Sequence, residues 1–158
     1  MATTLNPLLI PGSVVQRVSV TSSAVVTTSV IGGIPLASSQ GVEIFNVSIT
    51  PKSAASILLI RFTAIMSNAT GSTDSLSGIF IDSASTAIST VWSPTTVAAG
   101  GTVSVNHNYV QLVAGSTAAK IVRVRFAPSA GSAYINADYS GGSTGGMPAM
   151  LEVLEIAA

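Results

Sequence analysis

Apolar and polar residues alternate along most of the chain, and the dominant period is two. In the segment 122–126, the apolar Val122, Val124 and Phe126 alternate with Arg123 and Arg125. Successive side chains of a strand point to opposite faces, whereas a helix requires a period near 3.6. Similar segments, rich in the β-branched and aromatic residues that strands favour, are 13–20, 24–31, 42–50, 56–66, 77–82, 87–92, 102–113, 122–126, 133–138 and 150–156.

Glycine, proline, serine and asparagine separate these segments, as expected for turns. About eight to ten short strands with no good helical window predict an all-β fold, either a sandwich or a barrel. We expect this β domain to cover residues 14–158 and to be preceded by an extended arm over residues 1–13. A helical turn near 53–56, after Pro51, is the one alternative to strand and loop.

Two segments are apolar on both faces. Residues 57–60 read Ile-Leu-Leu-Ile and are followed by Phe62, and residues 150–156 carry two apolar stripes interrupted by Glu152 and Glu155. A sandwich covers one face of each strand with its own core, so a second apolar face predicts a neighbouring subunit. We therefore expect an oligomer.

The N-terminal segment differs from the rest because an apolar triplet lies between two prolines. Proline cannot donate to a sheet ladder and is excluded from central strands. The segment is expected to extend as an arm that docks on another surface. Its docking residues are predicted to be Leu5, Pro7, Leu8, Leu9, Ile10 and Pro11.

Charge is scarce in this chain of 158 residues. Hydrophobic residues make up 47%, charged residues 8%, and the net charge is zero, against a charged fraction of about 25% in typical domains. Few charges lower the desolvation cost of association, and a neutral chain attracts neither nucleic acid nor an anionic membrane. The absence of cysteine excludes disulfides and thiolate chemistry, and no signal peptide or stretch of membrane-spanning length occurs.

Candidate catalytic groups are few. Residues 141–145 match G-x-S-x-G, but that motif requires a strand before it and a helix after it, and here it lies in a Gly/Ser-rich loop. His107 is the only histidine, and six carboxylates form the whole acidic inventory. We expect no enzyme activity, no metal and no cofactor.

Other polar and aromatic residues are expected to form ion pairs, a subunit interface and contacts in exposed loops. Arg61, Arg123 and Arg125 are expected to pair with Glu152, Glu155 or Asp138 on adjacent strands or subunits. The residues predicted to lie in a subunit interface are Arg123, Arg125, Glu152, Glu155 and His107. Exposed loop contacts are predicted at Asn68, Asp74 and Trp92.

Several segments resemble small structural proteins of tailed-phage virions. The segment Ser48-Ile-Thr-Pro-Lys-Ser-Ala-Ala-Ser56 leads into Ile57-Leu-Leu-Ile60, and the strands at 122–126, 132–136 and 150–158 are also similar. The family comprises capsid decoration proteins and tail-fibre head domains with jelly-roll, tumour-necrosis-factor-like trimers. Members of this family usually carry a lysine after the serines of this segment. In this chain Ser56 is followed directly by the apolar Ile57.

The resemblance implies that residues 14–158 form a jelly-roll-like antiparallel β-sandwich that assembles as a homotrimer. It also implies a virion protein made in the host cytoplasm. Because no shaft precedes residue 14, we expect a decoration (cement) protein on the capsid surface, with the major capsid protein or another virion component as partner. The alternative is a receptor-binding head domain that contacts host glycans. Neither reading involves nucleic acid or a membrane.

Overall fold

The computed structural model describes residues 10–69, 73–93, 103–138, 140–142 and 148–158. Ten strands and no helix occur in this part of the chain, which confirms the all-β prediction, and no segment of it could cross a membrane as a helix. The strands are β1 (Val14–Ser22), β2 (Val26–Thr28), β3 (Val42–Ile49), β4 (Ile57–Asn68), β5 (Ser75–Ile81), β6 (Ser89–Ser93), β7 (Val103–Val113), β8 (Lys120–Pro128), β9 (Ala133–Ile135) and β10 (Ala149–Ile156).

Each predicted segment overlaps one of these strands. The strands are shorter than predicted at 24–31 and 133–138, where β2 and β9 have only three residues each, and longer at 122–126, where β8 has nine. Residues 53–56 form a turn rather than a helix, closed by the Ser56 N–H donating to the Ser53 carbonyl at 3.3 Å.

The strands form two antiparallel sheets in a sandwich-like arrangement. In the six-stranded sheet, β4 pairs with β7 along one edge and with β10 and then β9 along the other. Strand β1 pairs with β10 and β2 pairs with β9, so β1 and β2 form the far side of this sheet. The four-stranded sheet has the order β3-β8-β5-β6.

The main core lies between the sheets. Strand β4 contributes its even-numbered side chains, including Leu58, Ile60 and Phe62, and β8 contributes Val122, Val124 and Phe126. Phe45 of β3 meets Phe62 edge to face, with ring centroids 6.2 Å apart. Because side chains alternate between the two faces of a strand, every second residue of β4 and β8 faces the core, and each sheet contributes one apolar face to it.

The chain itself covers part of the outward face of the four-stranded sheet. Leu36, from the connection between β2 and β3, is fully buried in a second cluster with Phe80 and Ala127. The connection is fixed by the Gly32 N–H donating to the Pro128 carbonyl and the Leu36 N–H donating to the Thr90 hydroxyl. This cover explains why β5 is buried on both faces.

A buried polar network joins the two sheets beside the apolar core. Asn106 and Asn108 of β7 point inward, where the Ser77 hydroxyl donates to Asn106 Oδ1 at 2.6 Å. The Ser89 hydroxyl donates to Asn108 Oδ1 at 2.6 Å, and Asn108 Nδ2 donates to the Ser77 carbonyl at 2.9 Å. These bonds satisfy polar groups that would otherwise be costly to bury.

Candidate interaction surface

The outward-facing side of the six-stranded sheet forms a regular surface, which we call the outer face. Because residues paired across antiparallel strands point to the same side, the register assigns its side chains to rows that cross β1, β10, β4 and β7. Row 1 is Val14, Ile156, Ile57 and Val113; row 2 is Arg17, Leu154, Leu59 and Gln111; row 3 is Ser19, Glu152, Arg61 and Tyr109; row 4 is Thr21, Met150, Thr63 and His107.

Apolar side chains dominate rows 1 and 2. On the edge strands, Val14 is 57% exposed, Val113 is 61% exposed and Tyr109 of row 3 is 71% exposed. On the central strands, Leu59 and Leu154 are half-buried by their neighbours. Nothing in the described part of the chain covers these residues, in contrast to the cover that Leu36 provides on the other sheet.

The dimensions of the outer face can be compared with those of known protein interfaces. Four strands spaced about 4.8 Å apart give a width of about 19 Å, and the six residue steps from row 1 to row 4 give a length of about 20 Å. The flat area is therefore about 400 Å², before the relief of the side chains is counted. This is about half of the ~800 Å² that each partner contributes to a standard interface.

A buried carboxylate lies in the middle of the outer face. Glu152 is only 4% exposed, although its strand face is open, because Arg17 and Arg61 flank it. Arg17 Nε lies 2.7 Å from Glu152 Oε1, and Arg61 Nε donates to Oε2 at 2.9 Å. Two guanidinium groups on one carboxylate leave a net positive charge and unused N–H donors at this point.

The Arg61–Glu152 pair confirms one of the pairings expected from the sequence, but the other arginines have different partners. Arg125 donates to the carbonyls of Gln40 and Gly41 at 2.8 and 2.9 Å, and its charged partner is Glu43 at 3.8 Å. Arg123 donates to the Ala84 carbonyl at 3.4 Å and lies 5.7 Å from the centre of the Phe80 ring. Both arginines thus hold loops of their own subunit against the four-stranded sheet.

Glu155 was predicted to lie in a subunit interface, and this is wrong because its side chain is fully buried within one subunit. It accepts hydrogen bonds from the Lys52 N–H at 2.7 Å, the Ser53 N–H at 3.2 Å and Gln16 Nε2 at 2.7 Å. Burial alone would raise the pKa of Glu155, but these donors and the neighbouring Ser56 hydroxyl outweigh burial and lower it below its ordinary value. Glu155 therefore anchors the loop before β4.

His107 lies on the outer face, at the β7 end of row 4. Its Nδ1 is 3.0 Å from the Thr63 hydroxyl on the adjacent strand. Among the described residues, no group of three or more His, Asp or Glu side chains could hold a metal ion. The position of His107 is compatible with the predicted interface role, which stays a prediction.

The three residues predicted in exposed loops have different surroundings. Asn68 is fully buried at the end of β4, so the expectation of an exposed contact is wrong there; its Nδ2 donates to the Thr73 carbonyl at 2.7 Å. Asp74 is half-buried beside Ser129, which its N–H contacts at 2.8 Å. Trp92 is 51% exposed on β6.

The glycine-rich loop begins with an ordered turn around Asp138. Its Oδ1 accepts hydrogen bonds from the Ser140 hydroxyl at 2.6 Å and from the Gly142 and Ser140 N–H groups, each at 2.9 Å. The Ser140 hydroxyl and then the Gly142 N–H lower the pKa of Asp138 below its usual value. Ser143, the serine of the G-x-S-x-G match, lies outside the described residues.

Only the base of the predicted arm is described, since Leu5, Pro7, Leu8 and Leu9 lie outside the described residues. Ile10 is 69% exposed and Pro11 is exposed as well. The Gly12 N–H donates to the Ala157 carbonyl at 2.8 Å, and the Ala157 N–H donates to the Ser13 carbonyl at 2.9 Å. Residues 12 and 13 therefore lie beside the end of β10, next to row 1 of the outer face.

Sequence reasoning missed Arg17 as a member of this surface. Its partner Glu152 lies far along the chain, and only the register of β1 with β10 brings them together. Tyr109 carried a signal, because it shares the apolar face of its strand with Val105. The pattern by itself did not say that this face points outward.

Comparisons with known proteins add no identification. No family model matches the chain, and a search of curated proteins finds no significant match. A functional proposal for this protein therefore depends on its residues and its fold.

Proposed function

We propose that this chain is a structural protein of a bacteriophage virion, specifically a capsid decoration protein that binds the assembled shell as a jelly-roll homotrimer and stabilises it. The observation that carries the proposal is the outer face, a sheet surface that is mainly apolar in rows 1 and 2 and that the described part of the chain leaves uncovered. The resemblance to virion proteins at 48–60, 122–126, 132–136 and 150–158 supplies the biological setting.

The composition supports a role in assembly. With 8% charged residues and no net charge, the surface can be buried against other copies without the desolvation cost that charged coats impose. The largest exposed apolar patch of a soluble protein is often a functional interaction site.

The proposed mechanism is thermodynamic linkage. A trimer that binds the assembled shell, but not its separated subunits, shifts the equilibrium toward the assembled state in proportion to its binding free energy. In this proposal the outer face joins the copies of the decoration protein. The segment from Leu5 to Pro11 grips the major capsid protein or another virion component.

The direct test uses purified protein and shells that lack it. We expect a trimer by sedimentation and saturable binding at hundreds of copies per particle, with shells that then resist heat or low salt better. A variant lacking residues 1–9 keeps the Gly12–Ala157 hydrogen bond, so it should still form trimers but fail to bind shells. A variant with residues 1–9 in scrambled order serves as the control for length. Shell binding unchanged by the deletion would contradict the role of the arm.

A receptor-binding head domain is the second candidate, favoured by one observation. Trp92 is half exposed on the edge strand β6, and an exposed indole provides a platform on which a sugar ring can stack. In that case a few to a few dozen copies would be present per particle. Purified protein would bind host cells, and Trp92→Ala would abolish that binding while leaving the oligomer intact.

A further inference from the structure

A fully buried carboxylate closes one end of the sandwich. Glu155, on the inward face of β10, accepts the Lys52 N–H at 2.7 Å and the Ser53 N–H at 3.2 Å on Oε1, and Gln16 Nε2 at 2.7 Å on Oε2. The same Gln16 Nε2 donates to the Thr50 carbonyl at 2.7 Å. One carboxylate therefore joins β10, β1 and the connection that leads from β3 in one sheet to β4 in the other.

Strand β1 contains a bulge that makes this contact possible. Val14 pairs with Ile156 and Gln16 pairs with the adjacent Glu155, so Val15 is an extra residue in the ladder. In a regular strand Gln16 would share the outer face with Val14, because side chains alternate with a period of two. The bulge turns Gln16 to the inward face, where Glu155 lies. A departure from regular pairing at this point indicates that the contact is a built feature of the fold.

Hydrogen-bond donors alone hold the charge of Glu155 among the residues that the structure describes. Charged residues on the neighbouring elements face the outer face, the solvent or each other; they are Arg17, Arg61, Glu152, Lys52, Lys120 and Asp82. Lys52 contributes its backbone N–H, while its side chain is exposed. The ionisation of Glu155 itself is therefore what the cluster of donors depends on.

A proton on Glu155 disturbs this arrangement, because a neutral carboxyl is a weaker acceptor than a carboxylate. Its O–H needs an acceptor, whereas Lys52 and Ser53 present only N–H groups to it. Burial raises the pKa of Glu155, but the Ser56 hydroxyl and the N–H donors outweigh burial and hold the pKa below the ordinary 4.5. The stabilising contribution is thus complete above pH 4.5 and is lost as the pH falls through the lower folded-state pKa.

The remainder of the β3–β4 connection is held without Glu155. The Ala114 N–H donates to the Ser56 carbonyl at 2.8 Å, and the Gly115 N–H donates to the Ala54 carbonyl at 2.9 Å. These bonds tie residues 54–56 to the end of β7. Loss of the contacts to Glu155 therefore frees residues 50–53 and the bulge of β1, and leaves the rest of the sandwich in place.

We propose that Glu155 is an acid-sensitive latch. When ionised it holds residues 50–53 and the bulged start of β1 together, and when protonated it releases them while the core stays folded. The N-terminal segment joins the domain beside this latch, because Gly12 and Ser13 bond to Ala157, two residues after Glu155. Release therefore loosens the base of that segment. The expected consequence, weaker shell binding in acid, rests on the proposed function, whereas the latch itself does not.

Amide hydrogen exchange of the complete chain, followed by NMR between pH 7 and pH 3, tests the latch. The protection factors of Lys52 and Ser53 should fall at least about tenfold, with a midpoint below pH 4.5. Those of Val122 and Val124, in the core-facing stripe of β8, should stay unchanged over the same range. Unchanged protection at Lys52 and Ser53 would overturn the proposal. Loss at all four residues with one midpoint would also overturn it, since that is global unfolding.

Glu155→Gln gives a second test at neutral pH, because it imitates the protonated side chain. The Ser53 N–H that Glu155 holds belongs to the Lys52–Ser53 peptide bond, which trypsin can cut. Trypsin should cleave this bond at least about tenfold faster in the variant than in the wild type. The matched control is Glu43→Gln, which removes an exposed carboxylate from β3 and should be cleaved like the wild type. Equal cleavage in the two variants would refute the latch.

Shell binding separates the latch from the proposed function. Binding of the wild type should weaken at least about tenfold between pH 7 and the midpoint of the exchange transition, and Glu155→Gln should bind as weakly at pH 7. No shell binding at any pH refutes the proposed function, while the exchange and cleavage results still decide on the latch. Unchanged shell binding through the exchange transition refutes the link between the latch and the N-terminal segment.

Discussion

Individual residues of this protein meet constraints that come from distant parts of the chain. Glu155 belongs to the last strand, yet it holds the Lys52 and Ser53 N–H groups and the Gln16 amide. Gly41 adopts a φ of +62° at a point where a Cβ would overlap the carbonyl of Phe126. Each of these positions allows essentially one residue type, for a physical reason that can be tested.

Glu155 should make stability depend on pH in the acid range. Its pKa is lowered on folding from the usual 4.5, so its contribution is fully present above that value and is lost as the pH falls through the folded-state pKa. Glu155→Gln replaces an acceptor with a buried NH₂ facing donors, which should cost about 1–3 kcal/mol at neutral pH. Urea unfolding at pH 7 and pH 3 measures both effects. The gap between the wild type and the variant should narrow at pH 3, and a constant gap would contradict the assigned role.

Gly41→Ala should be much more costly than Gly115→Ala. Both glycines have positive φ, at +62° and +72°, but nothing lies within 4 Å of the Cβ position of Gly115. Gly115→Ala should therefore show only the backbone cost, about 1 kcal/mol. Gly41→Ala adds a clash with the β8 backbone and should exceed it by at least about 1–2 kcal/mol. Thermal unfolding of the two variants gives the comparison, and similar melting temperatures would refute the close approach to Phe126.

At the scale of elements, β7 is the strand whose orientation the hydrophobic pattern alone would assign wrongly. Val105, Tyr109 and Val113 point to the outer face, while Asn106 and Asn108 point inward. The inward amides are tolerated because β5 and β6 present serines at matching positions. Further along the inward face of β7, Val110 and Leu112 pack against the main core.

Asn108→Ala should destabilise the fold through this network. It removes the acceptor of the Ser89 hydroxyl and the donor to the Ser77 carbonyl, and we expect a cost of about 2–3 kcal/mol. The control is Asn46→Ala on β3, where the Nδ2 of an exposed asparagine donates to the Glu43 carboxylate; it should change stability by less than about 0.5 kcal/mol. Chemical unfolding of both variants checks the difference. Equal effects would show that the buried network contributes nothing beyond a surface hydrogen bond.

At the scale of the whole molecule, one sheet is covered by its own chain and the other is not. The connection that carries Leu36 protects the four-stranded sheet, whereas the outer face of the six-stranded sheet stays open in the described structure. This asymmetry is the physical basis for proposing that further copies of the chain complete the molecule.

Val113→Lys should weaken self-association by at least about tenfold, because it buries a charge within an apolar contact. Ile121→Lys provides the control, since Ile121 is also a half-exposed apolar residue on a strand but belongs to the four-stranded sheet. Sedimentation over a range of concentrations should show dissociation of the first variant and an unchanged oligomer for the second. If both variants dissociate, or neither does, the outer face is not the interface.

The sequence by itself determined the positions of the strands, since a period of two is a local property that needs only a few neighbouring residues. It also indicated that residues 57–60 and 150–156 are apolar on both faces; one face packs in the core, and the neighbouring subunit expected on the other face stays a prediction. Only the tertiary structure decided that Asn106 and Asn108 face inward, that Arg17 and Arg61 enclose Glu152, and that Glu155 and Asn68 are buried inside one subunit. Alternation states which residues share a face of a strand, but not which face meets the core. That choice depends on partners from distant parts of the chain, and those partners come together only when the strands pair in register.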